Sequence, residues 1–502
     1  MRKFLIALIL SAAFTSPPLQ AQQDRFRKTP PNAEPLQLFR LPPIEIALLA
    51  NEMAVGIVNR ENHPLMSVEL VVLGGESVSP ETLPGLATFA GRMFGRGIQQ
   101  FSAASIYEAL DSMGGTLTAS TTPDLTRISF RFLETEFDRA VALLGQMVLQ
   151  PAFSEADANA VKLAATYGLQ DLEKNLDYAA EAQLRRQLFE NHPYWKSVFP
   201  RDGVRLWSVK DLAGFYDRYF RPNNVRLLVS GNRPLRTATR SILRALGTWP
   251  SKDVPTVPLA ALPKPDKARM CVVDIPGAKD CVIVEGTTFP PLATADRFAL
   301  AVLNHILGGT TNSRLFMNLR ESKAYAYNAF SDVDIYKAGG VLAVHAQVTP
   351  DVVLESLREI GKEIETLAKT PVPSVEIELA KSYLIGRFPI SLASFDAFSA
   401  AAAEVLANDA GDEFWSRYYD QVIAVSPESV FTTAQAVLTT PFVTIIAGDK
   451  AALTNRLAGL DEAYDVFDNQ GRFQYRAAKD KKGAEDETRG VRSEFQRRTK
   501  QR

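Results

Sequence analysis

Apolar positions along this chain form one series of strand and helix patterns that occurs twice. In the first half, an apolar run at residues 68–73 and strict alternation at residues 127–132 predict strands, and apolar residues at helical spacing follow each of them. In the second half, residues 281–285 and 341–348 predict strands that are likewise followed by helical patterns. The sequence therefore predicts a repeated plan at the length of a domain.

The two halves also end alike, on apolar runs at residues 225–232 and 442–449. Strands and helices repeated in this way predict an α+β protein with two homologous domains, each a mainly antiparallel sheet packed with helices. A length of 502 residues with 46% apolar content is ample for two cores. We place the N-terminal domain at residues 47–249 and the C-terminal domain at residues 268–469.

Proline and charge mark the segments outside these domains. Residues 22–46 contain five prolines and predict an extended N-terminal arm, and the proline-rich residues 250–267 predict a linker. Residues 470–502 lose the apolar periodicity and carry eleven Lys or Arg against five Asp or Glu. We therefore expect a disordered charged tail there.

The N-terminus has the pattern of a secretory signal peptide. Arg2 and Lys3 precede an apolar run, and residues 19–21 resemble a cleavage site, so residues 1–21 are predicted to be removed on export to the periplasm or the medium. No other apolar stretch is long enough to span a bilayer, so we expect no integral membrane segment after signal removal. A net charge of -1 gives no general attraction for nucleic acid, and no nucleic-acid partner is expected.

Residues 312–327 hold the candidate chemistry of the second half. Helical spacing followed by alternation places Arg320 at a helix end and Tyr327 on the next strand. A guanidinium is a fork of donors that suits a carbonyl or carboxylate, and a phenol is a neutral donor that suits a developing oxyanion. The pair could therefore hold a peptide. The pattern alone favours a packed Arg at a helix end and a half-buried Tyr in a sheet.

The same stretch carries a resemblance to a known family. Residues 313–316, 319–321 and 326–327 resemble the C-terminal half of the pitrilysin, or insulinase, family of metallopeptidases. The resemblance implies that Arg320 and Tyr327 bind and polarise a substrate peptide, and that the chain has the duplicated architecture of that family. It also implies that Gly308 and Gly309 lie near bound peptide, although a plain turn explains such a pair better.

The zinc motif of the family is degenerate in this chain. An active member carries His-x-x-Glu-His on the first helix of the N-terminal domain, and Thr88, Gly91 and Arg92 stand at the matching positions. Thr is a poor zinc ligand, Arg repels the cation, and Gly has no side chain to accept a proton. The further Glu ligand of the family has no match in residues 158–170, which contain no acidic side chain. We expect no metal and no cofactor in this chain.

One half of an active site implies a partner for the other half. In two-chain members of the family, one subunit carries the zinc motif and the other carries the Arg and the Tyr. The resemblance therefore implies the non-zinc subunit of an exported heteromeric metallopeptidase, paired with a zinc-binding subunit and acting on peptides. The alternative is a catalytically inactive peptide-binding or scaffold protein in which Arg320 and Tyr327 are structural. An independent hydrolase with an unrecognised site is the least supported interpretation.

Two cysteines leave a further alternative open. Cys271 and Cys281 flank a Pro-Gly pair nearly symmetrically, so two facing strands could bring them together in an oxidising compartment and allow a disulfide. Two buried, unbridged thiols are about as compatible with the sequence, and we predict the bridged form for the exported chain. The four histidines are scattered without ligand spacing and predict no separate metal site.

Overall fold

The computed structural model describes residues 41–477, apart from residues 62, 409–416, 459, 461 and 462. The predicted signal peptide at residues 1–21 lies outside the described residues, as do most of the predicted arm and tail. Where the residue just before a described α-helix is Ser or Asn, its side chain accepts a hydrogen bond from a backbone N–H of the first turn, which satisfies one of the free donors there. Such caps are Ser102, Ser154, Asn175, Ser208, Ser394 and Ser426.

The first half is built around one sheet. In chain order, its elements are β1 Ile44–Leu48, β2 Ala54–Asn59, β3 Leu65–Val72, α1 Leu86–Met93, β4 Gly97–Ile98, β5 Phe101–Ser102, α2 Ala103–Ser112, β6 Thr116–Thr121, β7 Thr126–Leu133, α3 Phe137–Leu149, α4 Glu155–Leu172, α5 Leu176–Leu188, α6 Val209–Tyr219, β8 Val225–Gly231 and α7 Leu235–Leu246.

The second half follows residues 250–268, which contain neither helix nor strand. Its elements are β9 Arg269–Asp274, β10 Cys281–Phe289, α8 Thr294–Gly308, a π-helical turn Phe316–Ser322, β11 Ala326–Tyr336, β12 Gly339–Val348, α9 Val353–Lys369, α10 Ser374–Ser391, α11 Phe395–Ala407, α12 Tyr418–Ala424, α13 Pro427–Leu438, β13 Val443–Gly448, α14 Lys450–Leu457, β14 Tyr464–Asp468 and β15 Phe473–Ala477.

The two sheets repeat one strand order, and the α+β prediction with mainly antiparallel sheets is confirmed. The first sheet has the order β1-β2-β8-β3-β7-β6, and the second has the order β11-β12-β10-β13-β9-β14-β15. When the second sheet is read from its other end, its strands β9-β13-β10-β12-β11 correspond one by one to β2-β8-β3-β7-β6 of the first sheet. The only parallel pairs among these strands are β2 with β8, β13 with β9, and β9 with β14. Each half therefore ends its sheet on a matching edge strand, β6 or β11.

Each sheet is covered on one face by a helix from the other half of the sequence. Helix α5 buries Leu184 against the second sheet, and α11 buries Leu406 against the first sheet. Glycines allow these approaches: a Cβ on Gly286 would lie 2.5 Å from Leu184 Cδ2, and one on Gly56 would lie 2.8 Å from Leu406 Cδ2. Because of this exchange, the described residues form one compact unit.

Two predicted boundaries are wrong. Residues 44–46, assigned to the extended arm, are part of β1, which pairs with β2 immediately after the last prolines. The predicted tail from residue 470 contains β15, which pairs with β14 through a turn at Gly471, where φ is 77°. Phe473 packs on Phe467 with ring centroids 5.8 Å apart, so a short alternating segment supplies enough apolar contact for a hairpin.

No single described helix is both long and apolar enough to span a membrane. Among the described residues, the bent pair α10 and α11, at 108°, meets the length and hydropathy requirements only when the two helices are taken together.

Candidate functional site

Arg320 and Tyr327 come from a π-helical turn and the edge strand that follows it. Arg320 lies within the turn, where Lys323 N–H donates to the carbonyl of Asn318 at 3.0 Å, five residues back. Tyr327 lies in β11 at a register shift between Ala326 and Asn328, so it is the extra residue of a β-bulge. Bulges re-aim a side chain out of the strand's normal alternation, and here the two consecutive residues Tyr327 and Asn328 are both exposed.

The two side chains lie beside each other and are open to solvent. The Arg320 guanidinium carbon is 5.7 Å from the centre of the Tyr327 ring and 4.8 Å from that of Phe316. Tyr327 is 77% exposed and Arg320 is 45% exposed. Among the described residues, the Tyr327 hydroxyl has no hydrogen-bond partner, and the closest acid to Arg320 is Glu321 at 3.9 Å. Both donor groups are therefore available to a ligand.

The loop that joins the pair is strained. Ala324 has φ of 54°, in the left-handed region that non-glycine residues adopt at a cost of roughly 1 kcal/mol. Tyr325 N–H donates to the Leu319 carbonyl at 2.8 Å and holds the chain in this conformation. Such strain is common where a loop fixes a functional geometry. In this chain the left-handed conformation of Ala324 turns the backbone between Arg320 and Tyr327, which are seven residues apart.

The turn is tied to the helices behind it by hydrogen bonds of charged groups. Arg314 donates from Nε and Nη2 to the two carboxylate oxygens of Glu376 on α10, at 3.0 and 3.1 Å. Asn318 donates from Nδ2 to Glu359 and Glu363 of α9, at 3.0 and 2.7 Å. A bidentate Arg–carboxylate pair fixes direction as well as distance. The scaffold under Arg320 is thus held at two points.

The degenerate zinc motif lies on α1 and is held by a carboxylate that the sequence analysis did not single out. Buried Glu76 accepts hydrogen bonds from the backbone N–H groups of Gly85 at 3.0 Å and Thr88 at 2.7 Å, and from the Ser79 and Thr88 hydroxyls. Burial raises the pKa of Glu76, and the four donors oppose that rise. The hydroxyl of Thr88 is thereby committed to Glu76. Glu76 lies ten residues before the first residue of α1, so its only signal in the sequence was an acidic residue in the segment that leads to a helix.

The other two motif positions also do not fit zinc. A Cβ on Gly91 would lie 3.3 Å from Thr126 Cγ2, so this residue packs tightly on the sheet. Arg92 lines a cavity of about 200 Å³ together with Arg96 and Tyr107. Helix α4 contributes Val161 and Ala164 to the same cavity and no carboxylate. A guanidinium pair and apolar side chains repel or ignore a divalent cation, so the donor set does not fit zinc.

Within the part of the chain that the structure describes, no three His, Cys, Asp or Glu side chains are arranged to hold a metal ion. Buried His345 has two carboxylates near its Nε2, Asp332 at 3.5 Å and Glu181 at 3.9 Å, but they do not form such a group.

The glycine pair has mainly a packing role. A Cβ on Gly308 would lie 2.2 Å from the backbone nitrogen of Ser331, so α8 approaches β11 too closely for any side chain there. Gly309 lines an open cleft between α8, β11 and α10, and a Cβ on it would lie 2.7 Å from His305 Cα. Contact of Gly308 or Gly309 with a substrate stays a prediction.

The predicted disulfide is wrong: Cys271 and Cys281 are both free and buried. Their strands do not face each other, because β13 lies between β9 and β10. Two strand spacings amount to about 10 Å, beyond the span of a disulfide. The side chains also belong to the cores on opposite faces of the sheet. Burial raises the pKa of both thiols to about 12, as expected for unreactive core residues.

Comparison with known proteins agrees with this geometry. A model for Insulinase (Peptidase family M16) matches residues 55–200, and one for the Peptidase M16 inactive domain matches residues 207–384. The chain is 21% identical to the non-peptidase homolog YmxG of Helicobacter pylori over 344 residues, which cover 68% of this chain and 79% of that protein.

Two solved structures share the fold. A protease from Helicobacter pylori superposes with a TM-score of 0.76 at 21% identity, covering 81% of this chain and 100% of that one. The periplasmic protease PqqL from Escherichia coli superposes with a TM-score of 0.69 at 16% identity, covering 88% of this chain and 50% of that one. Since two models of one family together match most of the sequence, the chain belongs to the M16, or insulinase, family, and its second half matches the model for the inactive domain of that family.

Proposed function

We propose that this chain is the non-zinc subunit of an exported heteromeric metallopeptidase, and that it contributes Arg320 and Tyr327 to a site completed by a zinc-binding subunit. The observation that carries the proposal is the position of Tyr327. Its ring is 77% exposed at a bulge of an edge strand, its hydroxyl has no partner among the described residues, and Arg320 lies against it. An exposed ring buries little apolar surface, so fold stability alone does not account for this position.

The chemistry of the two groups suits a peptide that is under attack at its carbonyl carbon. Tyr327 can donate a hydrogen bond to the oxyanion that develops on the carbonyl oxygen, and removal of one such donor typically costs about 3 kcal/mol in the barrier. Arg320 can hold a neighbouring carbonyl with its planar fork and so fix the peptide in register. Neither side chain activates water. That step must come from the partner, because Thr88, Gly91 and Arg92 offer neither ligand nor base.

Two observations support a partner of the same family. This chain covers 50% of PqqL. PqqL therefore has room for a second half of the same size. The edge strand β11 also leaves its outer hydrogen-bonding groups without a neighbouring strand in its sheet, next to Tyr327. Export is expected from residues 1–21, which have the pattern of a signal peptide.

Reconstitution tests the proposal. The mature chain and an exported M16 protein with an intact His-x-x-Glu-His motif, sought first in the neighbouring reading frame, are purified separately and mixed. We expect a complex on size-exclusion chromatography and cleavage of an unstructured peptide only by the mixture. If the zinc-binding protein cleaves equally fast alone, the shared site is wrong, and the scaffold function is the one that remains.

A further inference from the structure

The open cleft between α8, β11 and α10, here called the second-half cleft, has a volume of about 370 Å³. In the duplicated plan its walls correspond to α1, β6 and α4, which line the cavity at the degenerate zinc motif. The second-half cleft therefore occupies the position that an active member uses for chemistry in its first half. Its polar lining differs from a metal site. The polar side chains are Arg297, Asn304, His305, Asp332, Tyr383 and Arg387.

Two guanidinium groups line the cleft from different helices. Arg297 on α8 donates from Nε to the Leu292 carbonyl at 3.2 Å, and Arg387 on α10 donates from Nη1 to the Tyr383 hydroxyl at 3.3 Å. Among the described residues, neither arginine is ion-paired with a carboxylate. Because a guanidinium has five N–H donors, most donors of both groups remain available.

The side chains that line the cleft carry a net positive charge. His305 is 8% exposed and stacks on Tyr383 with ring centroids 4.4 Å apart. Burial, and then the charge of Arg387, lower the pKa of His305, so the imidazole is neutral near pH 7. The one acidic side chain in the lining is Asp332, which is directed towards His345 at 3.5 Å. Two arginines thus face one carboxylate.

The rest of the lining is apolar. Leu300, Ala301, Val333 and Leu384 give the cleft walls that suit an aliphatic chain attached to a charged end. An inorganic anion would leave these walls in water. A peptide with a carboxylate would cover them, and planar guanidinium groups recognise carboxylates with paired hydrogen bonds.

We infer that the second-half cleft binds a peptide through a carboxylate held by Arg297 and Arg387. The carboxylate is either the C-terminus of the peptide or an acidic side chain, and both have the same chemistry. The inference rests on the proposed function in that the ligand is a peptide. It adds a selection for acidic or C-terminal segments at a place separate from Arg320 and Tyr327.

Binding is measured on the full mature chain without any partner, by fluorescence anisotropy at low and high salt. The probes are fluorescein-labelled decapeptides of Gly, Ser and Ala: one with a free C-terminus, one amidated, and two amidated peptides with an internal Glu or Gln. We expect the free-acid or the Glu peptide to bind at least tenfold more tightly than its uncharged counterpart, and high salt to weaken that binding. Preference for only one of the two identifies the source of the carboxylate.

Variants assign the binding to the cleft. The double variant Arg297→Gln/Arg387→Gln should lose the preference, while Arg236→Gln/Arg240→Gln, which removes two exposed charges from α7, should keep it. Asn304→Asp retains the acceptor for the Ser331 hydroxyl at 2.7 Å and adds a carboxylate to the lining, so it should weaken binding even if the double variant fails to fold. Asp332→Asn should strengthen it a few-fold.

The inference is overturned if no carboxylate peptide is preferred over its uncharged counterpart, or if both the double variant and Asn304→Asp bind like the unmodified chain. Because no turnover is measured, loss of this binding leaves the shared-catalysis proposal standing, and the reverse also holds.

Discussion

The two halves of this chain have one strand order but differ at the positions that match the site residues of the family. In the first half, the helix that would carry zinc ligands has Thr88 bound to Glu76, Gly91 packed on the sheet and Arg92 in the cavity. In the second half, a strained turn and a β-bulge present Arg320 and Tyr327 to solvent. Structural demands account for the first arrangement. They do not account for the second, because exposed donors on a strained loop add no stability to the fold.

Two buried carboxylates sharpen this difference. Glu76 in the first half accepts four hydrogen bonds at the start of α1, whereas Glu285 in the second half accepts one, from the Thr444 hydroxyl at 3.3 Å. The first carboxylate holds the start of α1, the helix that matches the zinc motif of active family members. The second is a buried acid with little compensation for its charge.

The largest expected effect is on stability in the first half. Glu76→Ala leaves the N–H groups of Gly85 and Thr88 and two hydroxyls without their acceptor, and each unpaired buried group costs about 1–3 kcal/mol. We expect the free energy of unfolding to fall by roughly 3 kcal/mol or more. Urea unfolding followed by circular dichroism measures it, with Glu108→Ala on the exposed face of α2 as the control. Equal stability of both variants would show that Glu76 does not hold α1.

The second effect is a pH dependence that arises from the second half. Burial raises the pKa of Glu285 from 4.5 to about 7. The folded chain therefore holds this proton more tightly than the unfolded chain, so its contribution to stability is complete below pH 4.5 and is lost as the pH rises to about 7. The size is about 3 kcal/mol, from 1.36 kcal/mol for each pKa unit. Glu285→Gln should flatten that part of the stability profile, and an unchanged slope between pH 4.5 and 7 would contradict this.

The third effect concerns substrate binding by the second half. Arg320→Ala in the reconstituted complex should lower kcat/KM by about 10- to 100-fold, because hydrogen bonds to a charged group contribute roughly 1.5–3 kcal/mol. Arg320→Lys should recover little, since an ammonium does not reproduce the planar fork. Lys323→Ala, which removes a charge from the residue directly after the turn, is the control. Full recovery by Lys would mean that only charge matters at this position.

The last expectation in this order concerns metal content, where we predict that the chain holds no zinc. Metal analysis of the purified mature chain should find no stoichiometric zinc, because the side chains at residues 88, 91 and 92 include no zinc ligand. The zinc-binding partner, treated identically, is the positive control. One tightly held zinc per chain would contradict the account of the first half.

Periodicity was sufficient for the duplicated fold but not for contacts between distant segments. The strands predicted near residues 127–132 and 341–348 are present as β7 and β12, because alternation predicts a half-buried strand such as β7 and a continuous apolar run is compatible with a fully buried strand such as β12. The disulfide prediction failed because the strand between the two cysteine strands comes from some 160 residues further along the chain. The packing of α5 on the second sheet and of α11 on the first sheet also has no local signal in the sequence. Arg320 and Tyr327 were found through family resemblance, and their exposure required the bulge that only the structure places.

The most direct test of shared catalysis is a comparison of two hydroxyl deletions that are two positions apart. In the reconstituted complex, Tyr327→Phe removes the exposed hydroxyl and keeps the ring, while Tyr325→Phe removes a hydroxyl from the same segment and keeps the backbone bond to Leu319. Both complexes should assemble. We predict that Tyr327→Phe lowers kcat by about 10²-fold or more and that Tyr325→Phe leaves it nearly unchanged. If the complex with Tyr327→Phe assembles and cleaves as fast as the unmodified one, the second half does not contribute an oxyanion donor and the chain is a scaffold.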